Sequence, residues 1–184
     1  GHYTEGGTQT TRFACKPYEG HCENGALVAL SLRARDDHCG SCNAGYFLEG
    51  GVCKPWQGTC TDGELIEQAK RIKHGHCASC DATHFLTNDH ACLLCPTGYA
   101  CDGSKKQTRC EPGYFAGGGQ TQCHECGGGD KHSVAEAHEC ETCKAGSFTS
   151  GGTARTRTMC TVCPPGYECS GLSTQTICEG GHFS

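Results

Sequence analysis

The segment Cys42-Asn-Ala-Gly-Tyr-Phe-Leu-Glu-Gly-Gly-Val-Cys53 places a cysteine three residues before a glycine and follows the aromatic residues with a Gly-Gly pair and a second cysteine. Glycine adopts positive φ in tight reversals, so this pattern predicts a β-hairpin. Its opening, Cys-x-x-Gly-x-aromatic, recurs along the whole chain. Copies begin at Cys42, Cys110, Cys143 and Cys178, with weaker copies at Cys80, Cys95 and Cys163.

A disulfide between the cysteines on either side of each turn would hold each hairpin closed. Pairing every cysteine with a neighbour leaves Cys15 and Cys178, whose partners we expect in another segment or an adjoining subunit. For the short pairs Cys95–Cys101 and Cys163–Cys169, a crossed arrangement that uses Cys110 fits the spacing too. The predicted neighbour pairs are Cys22 with Cys39, Cys42 with Cys53, Cys60 with Cys77, Cys80 with Cys92, Cys95 with Cys101, Cys110 with Cys123, Cys126 with Cys140, Cys143 with Cys160, and Cys163 with Cys169.

The composition explains why cross-links are needed. The chain has 20 cysteines in 184 residues, about 11%, which is typical of a disulfide scaffold. Leu, Ile, Val and Phe together number 22, about 12%, a fraction at which chains without cross-links stay disordered. Apolar burial alone therefore cannot fold this chain, and disulfides or metals must supply the difference.

The same cysteine usage favours an oxidising compartment, so we expect a secreted or cell-surface protein. The net charge of -5 is spread out, and no basic stripe suggests nucleic acid. No apolar run approaches 18 residues, so we expect no membrane span. No leader precedes Gly1-His2-Tyr3-Thr4, which indicates that it was removed or that the chain starts inside a longer one. The Thr-rich run 153–158 is a candidate for O-linked sugar, although such runs are more often exposed strand.

Two internal repeats divide the chain. Cys15-Lys-Pro-Tyr-Glu-Gly-His-Cys22 and Cys53-Lys-Pro-Trp-Gln-Gly-Thr-Cys60 are the same phrase 38 residues apart, and a second repeat, beginning at Cys92 and Cys160, has an offset of 68. Gly1-His2-Tyr3-Thr4 resembles residues 181–184, so we expect one stretch of a longer array. The predicted divisions are a partial repeat at 1–14, cysteine-rich modules at 15–52 and 53–91, a second-type repeat at 92–125, a shortened module at 126–159 and a partial second-type repeat at 160–184.

One segment of each 38-residue module favours a helix. Asp62 can cap a first turn of Glu64–His74, in which Leu65, Ile66, Ala69 and Ile72 share one face and after which Gly75 stops the helix. The predicted fold is therefore a small disulfide-rich, elongated tandem array of cysteine-rich modules with short β-hairpins and one or two short helices.

These repeats resemble known extracellular modules. The Cys-x-x-Gly-Tyr-Phe hairpins and Cys-x-x-Cys pairs are similar to cysteine-rich repeats of growth-factor-receptor and epidermal-growth-factor-like domains. Residues 92–126 and 160–184 are most similar to the ephrin-receptor-like repeat. The resemblance implies an extracellular module and leaves its role open, because such modules serve as spacers, adhesive surfaces and filament subunits.

Zinc is the sharpest alternative for the cysteines. Cys77, Cys80, Cys92 and Cys95, and likewise Cys123, Cys126, Cys140 and Cys143, have the spacing of a four-thiolate site. Isolated cysteines between these pairs, such as Cys15, Cys22, Cys53 and Cys60, fit disulfides better than zinc ribbons. Repeated Cys-x-x-Cys also suggests a thiol oxidoreductase, but such enzymes need a thioredoxin-like sheet that this sequence does not predict.

Other side chains have both a functional and a structural interpretation. His74, His76 and His124 are candidates for a surface metal site, although scattered solvated histidines are the commoner case. Trp56, the only tryptophan, is suited to stacking on a sugar or a partner, but we favour a role in covering a disulfide where two modules meet. No catalytic set, cofactor site or calcium loop stands out, so we expect a protein that is not an enzyme.

The sequence thus predicts a structural role. We expect an extracellular repeat protein that forms a stiff covalent rod, as a subunit of a surface filament, appendage or coat, with copies of itself as partners. The alternative is a receptor or adhesin ectodomain fragment that binds a protein or a glycan. A homopolymer predicts self-contacts above roughly 1,000 Å², whereas a receptor fragment predicts a monomer with an exposed apolar or aromatic patch.

Overall fold

The structure is a computed structural model that describes residues 1–4 and 15–180. Nearly all of its regular structure consists of strands of two to four residues, because turn residues interrupt the sequence every few positions. The strands are β1 (His2–Thr4), β2 (Cys15–Pro17), β3 (Gly25–Leu27), β4 (Cys39–Cys42), β5 (Tyr46–Glu49), β6 (Val52–Pro55), β7 (Gly63–Leu65), β8 (Cys77–Cys80), β9 (His84–Leu86), β10 (Cys92–Leu94), β11 (Tyr99–Cys101), β12 (Gln107–Arg109), β13 (Tyr114–Phe115), β14 (His124–Glu125), β15 (Lys131–His132), β16 (Glu141–Thr142), β17 (Ser147–Thr149), β18 (Cys160–Val162), β19 (Tyr167–Cys169) and β20 (Gln175–Ile177).

Antiparallel pairing joins strands that are neighbours in the chain. These pairs are β1–β2, β3–β4, β5–β6, β9–β10, β11–β12, β13–β14, β15–β16, β17–β18 and β19–β20. The register of β3–β4 shifts between Ala26 and Leu27, and β7 is hydrogen-bonded to β8. In the β5–β6 pair, Glu49 faces Val52 across Gly50 and Gly51, which have φ of 58° and 74°. Positive φ at both central residues gives the tight turn that suits the twist of a hairpin. The predicted Gly-Gly turn is therefore formed here.

The described residues belong to two compact units, one within Gly1–Cys60 and Leu65–Cys77 and the other within Thr61–Glu64 and Ala78–Ser184. Both units consist of consecutive hairpins cross-linked by disulfides. The fold is thus a small disulfide-rich tandem array. The finer division into six segments remains a prediction from the repeats.

Nine disulfides join neighbouring cysteines, and they are the nine neighbour pairs set out above. Their sequence separations run from 6 to 17 residues, and their Cα–Cα distances from 5.1 to 5.8 Å. The pairs Cys95–Cys101 and Cys163–Cys169 are formed, and the crossed alternative is not. Cys15 and Cys178 are left as thiols.

The interior is made largely of sulfur. Among the described residues, the most buried side chains that are not polar are eight cysteines, three alanines and one leucine, namely Cys39, Cys77, Cys95, Cys101, Cys110, Cys126, Cys143, Cys169, Ala100, Ala116, Ala154 and Leu86. Large apolar side chains lie outside it: Val162 is 80% exposed and Ile177 is 70% exposed. The covalent bonds therefore carry the stabilisation that a hydrophobic core supplies in ordinary domains.

The predicted helix over Glu64–His74 is wrong. The chain forms strand β7 at Gly63–Leu65 and a 3-10 helix of three residues at Gln68–Lys70 instead. The matching segment of the first module has a 3-10 helix at Leu30–Leu32, and a third one lies at Ala154–Thr156. The short helices of this fold are thus single turns.

Competing hydrogen bonds and an uncovered apolar face explain why the longer helix does not form. The backbone N–H of Ile66 donates to the His76 carbonyl at 3.0 Å, and the Ile66 carbonyl accepts from the Arg71 guanidinium at 2.9 Å. The predicted apolar face has no layer to cover it, since Ile72 is 64% exposed. An isolated helix of this length is marginal in water without such packing.

The three helical turns of the described residues are each three residues long, and none of them is long and apolar enough to cross a membrane.

Candidate functional site

Cys15 is an exposed thiol on strand β2. The β2 strand pairs with β1 in the same register in which β6 pairs with β5, so Cys15 holds the position of Cys53. Cys53 bonds to Cys42 and closes the β5–β6 hairpin. Cys15 is therefore a closing cysteine whose bond is not made.

Cys178 holds the complementary position in a hairpin. Its N–H donates to the Gly166 carbonyl at 2.9 Å, as the N–H of Cys110 donates to the Gly98 carbonyl at 2.9 Å. Cys110 bonds forward to Cys123 and opens a closed hairpin. Cys178 is thus an opening cysteine with a free thiol, half-buried beside a cavity of about 890 Å³.

The two thiols are the two halves of one type of bond. Every hairpin closure among the described cysteines joins an opening cysteine to a closing cysteine 11 to 17 residues later. Cys178 supplies an opening half and Cys15 a closing half. Within the chain they remain unbonded.

An aromatic cluster lies where the predicted modules 15–52 and 53–91 meet. The Phe47 and Trp56 rings are stacked with centroids 4.3 Å apart, and the His74 ring meets both edge-on, at 5.3 and 5.1 Å. Tyr3 and Tyr18 repeat the stack one module earlier, at 5.1 Å. Trp56 is half-buried in this cluster, and aromatic rings are its observed partners.

Arg71 ties the same boundary together with charge-assisted hydrogen bonds. Its guanidinium donates to the carbonyls of Ile66 at 2.9 Å and Trp56 at 3.1 Å. Arg33 makes both equivalent contacts, at 3.0 Å each, with the carbonyls 38 residues earlier. The arginine is thus a repeated structural link rather than a ligand for an outside group.

Two glycines of the Cys-x-x-Gly motif, Gly45 and Gly113, pack against the following predicted module. A Cβ atom on Gly45 would overlap the Gln68 carbonyl, and one on Gly113 would overlap the Ala154 carbonyl. Each carbonyl belongs to a 3-10 turn in the following predicted module. A larger residue at Gly45 or Gly113 would push the following predicted module away.

Two disulfides stack in the first module. The sulfur atoms of Cys22 and Cys53, which belong to different disulfides, are 3.7 Å apart. Gly25 packs against both, and a Cβ atom there would lie 2.7 Å from the Cys53 sulfur and 2.9 Å from the Cys22 sulfur. The sulfur pair therefore depends on the absence of a side chain at this position.

We expect Gly25→Ala to lower the free energy of unfolding by about 2 kcal/mol, because the methyl group would overlap the Ser41 carbonyl oxygen most closely and would also overlap two sulfur atoms that their own bonds hold in place. The measurement is guanidinium denaturation of the oxidised protein. Gly117→Ala is the matched control, since a Cβ atom there meets no atom within 4 Å, and it should leave the midpoint unchanged or slightly raised. Equal midpoints for the two variants would contradict this account of the sulfur stack.

The cysteines that have the spacing of a zinc site are all in disulfides. These eight cysteines belong to six separate disulfides and do not form two four-sulfur groups. They are Cys77, Cys80, Cys92, Cys95, Cys123, Cys126, Cys140 and Cys143. In the oxidised protein these sulfurs are not thiolates, which zinc requires.

The three histidines singled out in the sequence each have a local hydrogen bond. Nδ1 of His74 accepts from the Gln57 N–H at 3.0 Å, and Nδ1 of His76 accepts from the Ile72 N–H at 3.3 Å. His124 contacts the Gln120 side chain, with 3.1 Å between Nε2 and Oε1. The structure does not bring these histidines together at one site.

A cavity of about 370 Å³ lies beside the Cys110–Cys123 hairpin. Its wall includes Arg109, Glu111, Tyr114 and Arg155. The Arg155 guanidinium lies 5.6 Å from the centre of the Tyr114 ring, and hydrogen bonding to Tyr114 raises the pKa of Arg155 above its ordinary value. The cavity thus offers an aromatic face and a charged group on the same surface.

No model of a known protein family matches this chain, and no match is found among curated proteins.

Sequence reasoning missed one buried side chain of chemical interest. His132 is 6% exposed and lies against the Cys143–Cys160 disulfide. Its segment, between Cys126 and Cys140, belongs to the predicted shortened module. No repeat of this histidine at a fixed offset therefore drew attention to it. The Arg33 and Arg71 links, by contrast, had a usable signal, because the two arginines match at the 38-residue offset.

Proposed function

We propose that this protein is an extracellular structural repeat protein whose copies join end to end through Cys15 and Cys178, as a subunit of a surface filament, appendage or coat. The observation that carries the proposal is that these two thiols hold the closing and opening positions of a hairpin bond whose other copies are all formed. A Cys178 thiol from one copy and a Cys15 thiol from the next would complete one further bond of the same type.

The local architecture supports this role. Every disulfide spans at most 17 residues, and the strand pairs join neighbours in the chain. Repeat proteins with local contacts have nearly additive stability, so copies can be added without refolding the existing ones. A head-to-tail contact between different surfaces produces an open fibre when its rotation does not close a ring.

The cysteine chemistry supports a place outside the cytosol. Nine disulfides persist only where thiols are not kept reduced, which agrees with a secreted or extracellular protein. The likeness of its repeats to growth-factor-receptor, epidermal-growth-factor-like and ephrin-receptor-like modules belongs to the same proposal.

The test is a complementation experiment on the oxidised protein. We expect the native chain to form a ladder of covalent oligomers on a non-reducing gel, with a Cys15–Cys178 peptide in the mass spectrum. Cys15→Ser and Cys178→Ser should each remain monomeric, and an equal mixture of the two should stop at the dimer, because only one bond remains available. Symmetric dimers of either single variant, or a native chain that stays monomeric, would contradict the proposal.

A second candidate function has its own observation. The cavity at Tyr114 and Arg155 combines a ring face with a cation, which suits a glycan or an acidic peptide on a receptor or adhesin ectodomain. In that case the oxidised protein should be a monomer, and Tyr114→Ala should abolish its binding to a glycan or peptide array. Binding that survives this substitution would place the ligand elsewhere.

A further inference from the structure

The His132 imidazole is buried against a disulfide. Its Nδ1 atom is 3.6 Å from the Cys160 sulfur and 3.8 Å from the Cys143 sulfur. Its Nε2 atom is 3.4 Å from the Glu141 carboxylate. One buried imidazole thus connects an exposed acid to both sulfur atoms of a single bond.

The fold holds this imidazole in place from two sides. His132 faces Glu141 across the β15–β16 pair, so the strand register sets the distance to the carboxylate. On the other side, the buried Arg157 guanidinium donates to the Lys131 carbonyl at 3.0 Å and to the Cys126 carbonyl at 3.1 Å. Strand pairing therefore sets the position of His132 relative to Glu141, and Arg157 fixes the backbone next to it.

The two sulfur atoms differ in access. Cys160 is exposed, whereas Cys143 is 4% exposed. A thiolate attacks a disulfide along the sulfur–sulfur axis and displaces the other sulfur. An incoming thiol therefore reaches Cys160, and the sulfur that leaves is Cys143, next to the imidazole.

We propose that the Cys143–Cys160 disulfide is a thiol–disulfide exchange site in which His132 is the proton donor and Glu141 positions it. The co-reactant is a small molecule with a free thiol. The proposal does not depend on assembly through Cys15 and Cys178.

The exchange proceeds in two steps. A thiolate attacks the Cys160 sulfur and forms a new sulfur–sulfur bond while the Cys143–Cys160 bond breaks. The electron pair of the broken bond stays on the Cys143 sulfur, which takes the Nδ1 proton of His132 in its imidazolium form and leaves a neutral ring that keeps its Nε2 proton, facing Glu141. A second thiol then displaces Cys160 from the mixed disulfide, so that two thiols are oxidised to one disulfide and the protein bond is reduced.

The consequence is local. Reduction opens the loop that Cys143 and Cys160 close over 17 residues, which contains the 3-10 turn at Ala154–Thr156. The Ala154 carbonyl packs on Gly113, so exchange at this bond would act on a module junction. A thiol in the surroundings would thus loosen one junction while the other disulfides remain.

The test measures exchange at two bonds in the same molecule. The full-length oxidised protein is treated with reduced glutathione, quenched with acid, alkylated and analysed by peptide mass spectrometry. Cys42–Cys53 is the internal control, because both bonds close hairpins and both experience the same thiolate concentration. We expect Cys143–Cys160 to exchange about 10-fold faster than Cys42–Cys53, with the glutathione adduct on Cys160.

Two variants separate proton donation from loose packing. His132→Gln should lower the rate at Cys143–Cys160 by about 10-fold, because an amide cannot supply the proton, and should leave Cys42–Cys53 unchanged. Loosened packing would do the opposite and raise the rate. Glu141→Gln changes a side chain that is 80% exposed, and it should lower the same rate by about 3-fold.

Each outcome bears on the proposal. Equal rates at the two bonds in the native chain, or no decrease in either variant, overturn it. Should His132→Gln accelerate both bonds because the fold has loosened, the Glu141→Gln rate decides, and a decrease confined to Cys143–Cys160 supports the proton-donor role.

Discussion

Complete reduction of the disulfides is expected to unfold every described hairpin without any denaturant. Each bond contributes about 2–3 kcal/mol by restricting the unfolded chain, so nine of them exceed the roughly 5–15 kcal/mol by which an ordinary domain is stable. The apolar side chains cannot replace them, because residues such as Val162 and Ile177 are already exposed.

The measurement is amide hydrogen exchange after treatment with a phosphine reductant at neutral pH. All strand amides should lose protection, and air oxidation should restore it. The control is the same reagent after it has been oxidised. Protection retained in the β5–β6 or β17–β18 pairs of the reduced chain would mean that contacts other than sulfur bonds hold these hairpins.

Removal of a single disulfide should have a large and local effect. In a Cys22→Ser, Cys39→Ser double variant, the lost bond closed a loop of 17 residues, which corresponds to about 3 kcal/mol in the chain-entropy model. We expect exchange of the β3–β4 amides to accelerate about 100-fold, while the β17–β18 amides keep their protection, because they belong to the other unit.

The Cys163→Ser, Cys169→Ser double variant is the matched control for loop length. Its disulfide spans only 6 residues, so the predicted loss is about 2 kcal/mol, and the acceleration should be confined to β19–β20. An equal loss of protection throughout the chain in either variant would show one cooperative fold instead of nearly independent modules.

The disulfide pattern was predictable because it is local. The hairpins place an opening and a closing cysteine at the two ends of one turn, so that the Cys42–Cys53 spacing already contains the geometry of the bond. The Gly50–Gly51 turn was predictable for the same reason. Information within a dozen residues was enough for these features.

The helix at Glu64–His74 could not be judged from its own periodicity. Leu65, Ile66 and Ile72 share a helical face in the sequence, but a face stabilises a helix only when another layer covers it. The hydrogen bonds of Ile66 with His76 and Arg71 decided the outcome. His76 lies beyond the predicted helix, and the Arg71 side chain bonds a backbone carbonyl, so apolar periodicity reveals neither contact.

The candidate site was predictable in part. The spacing identified Cys15 and Cys178 as the two unmatched cysteines, and the unbonded thiols are where that prediction places them. The His132 cluster was not predictable, since it joins β15, β16 and the Cys143–Cys160 bond across the fold, and no repeat in the sequence contains it.

The nine short loops also govern how the chain responds to being pulled. Segments between one disulfide and the next, such as Cys39 to Cys42 and Cys140 to Cys143, are only Cys-x-x-Cys in length, so tension applied to the backbone passes from bond to bond and bypasses the residues inside each loop. Hydrogen bonds inside the disulfide-closed loops can rupture while the contour lengthens by little more than the segments that connect one disulfide to the next. A peptide cleaved inside a loop likewise leaves the two fragments covalently joined, so the molecule can be nicked and still bear load.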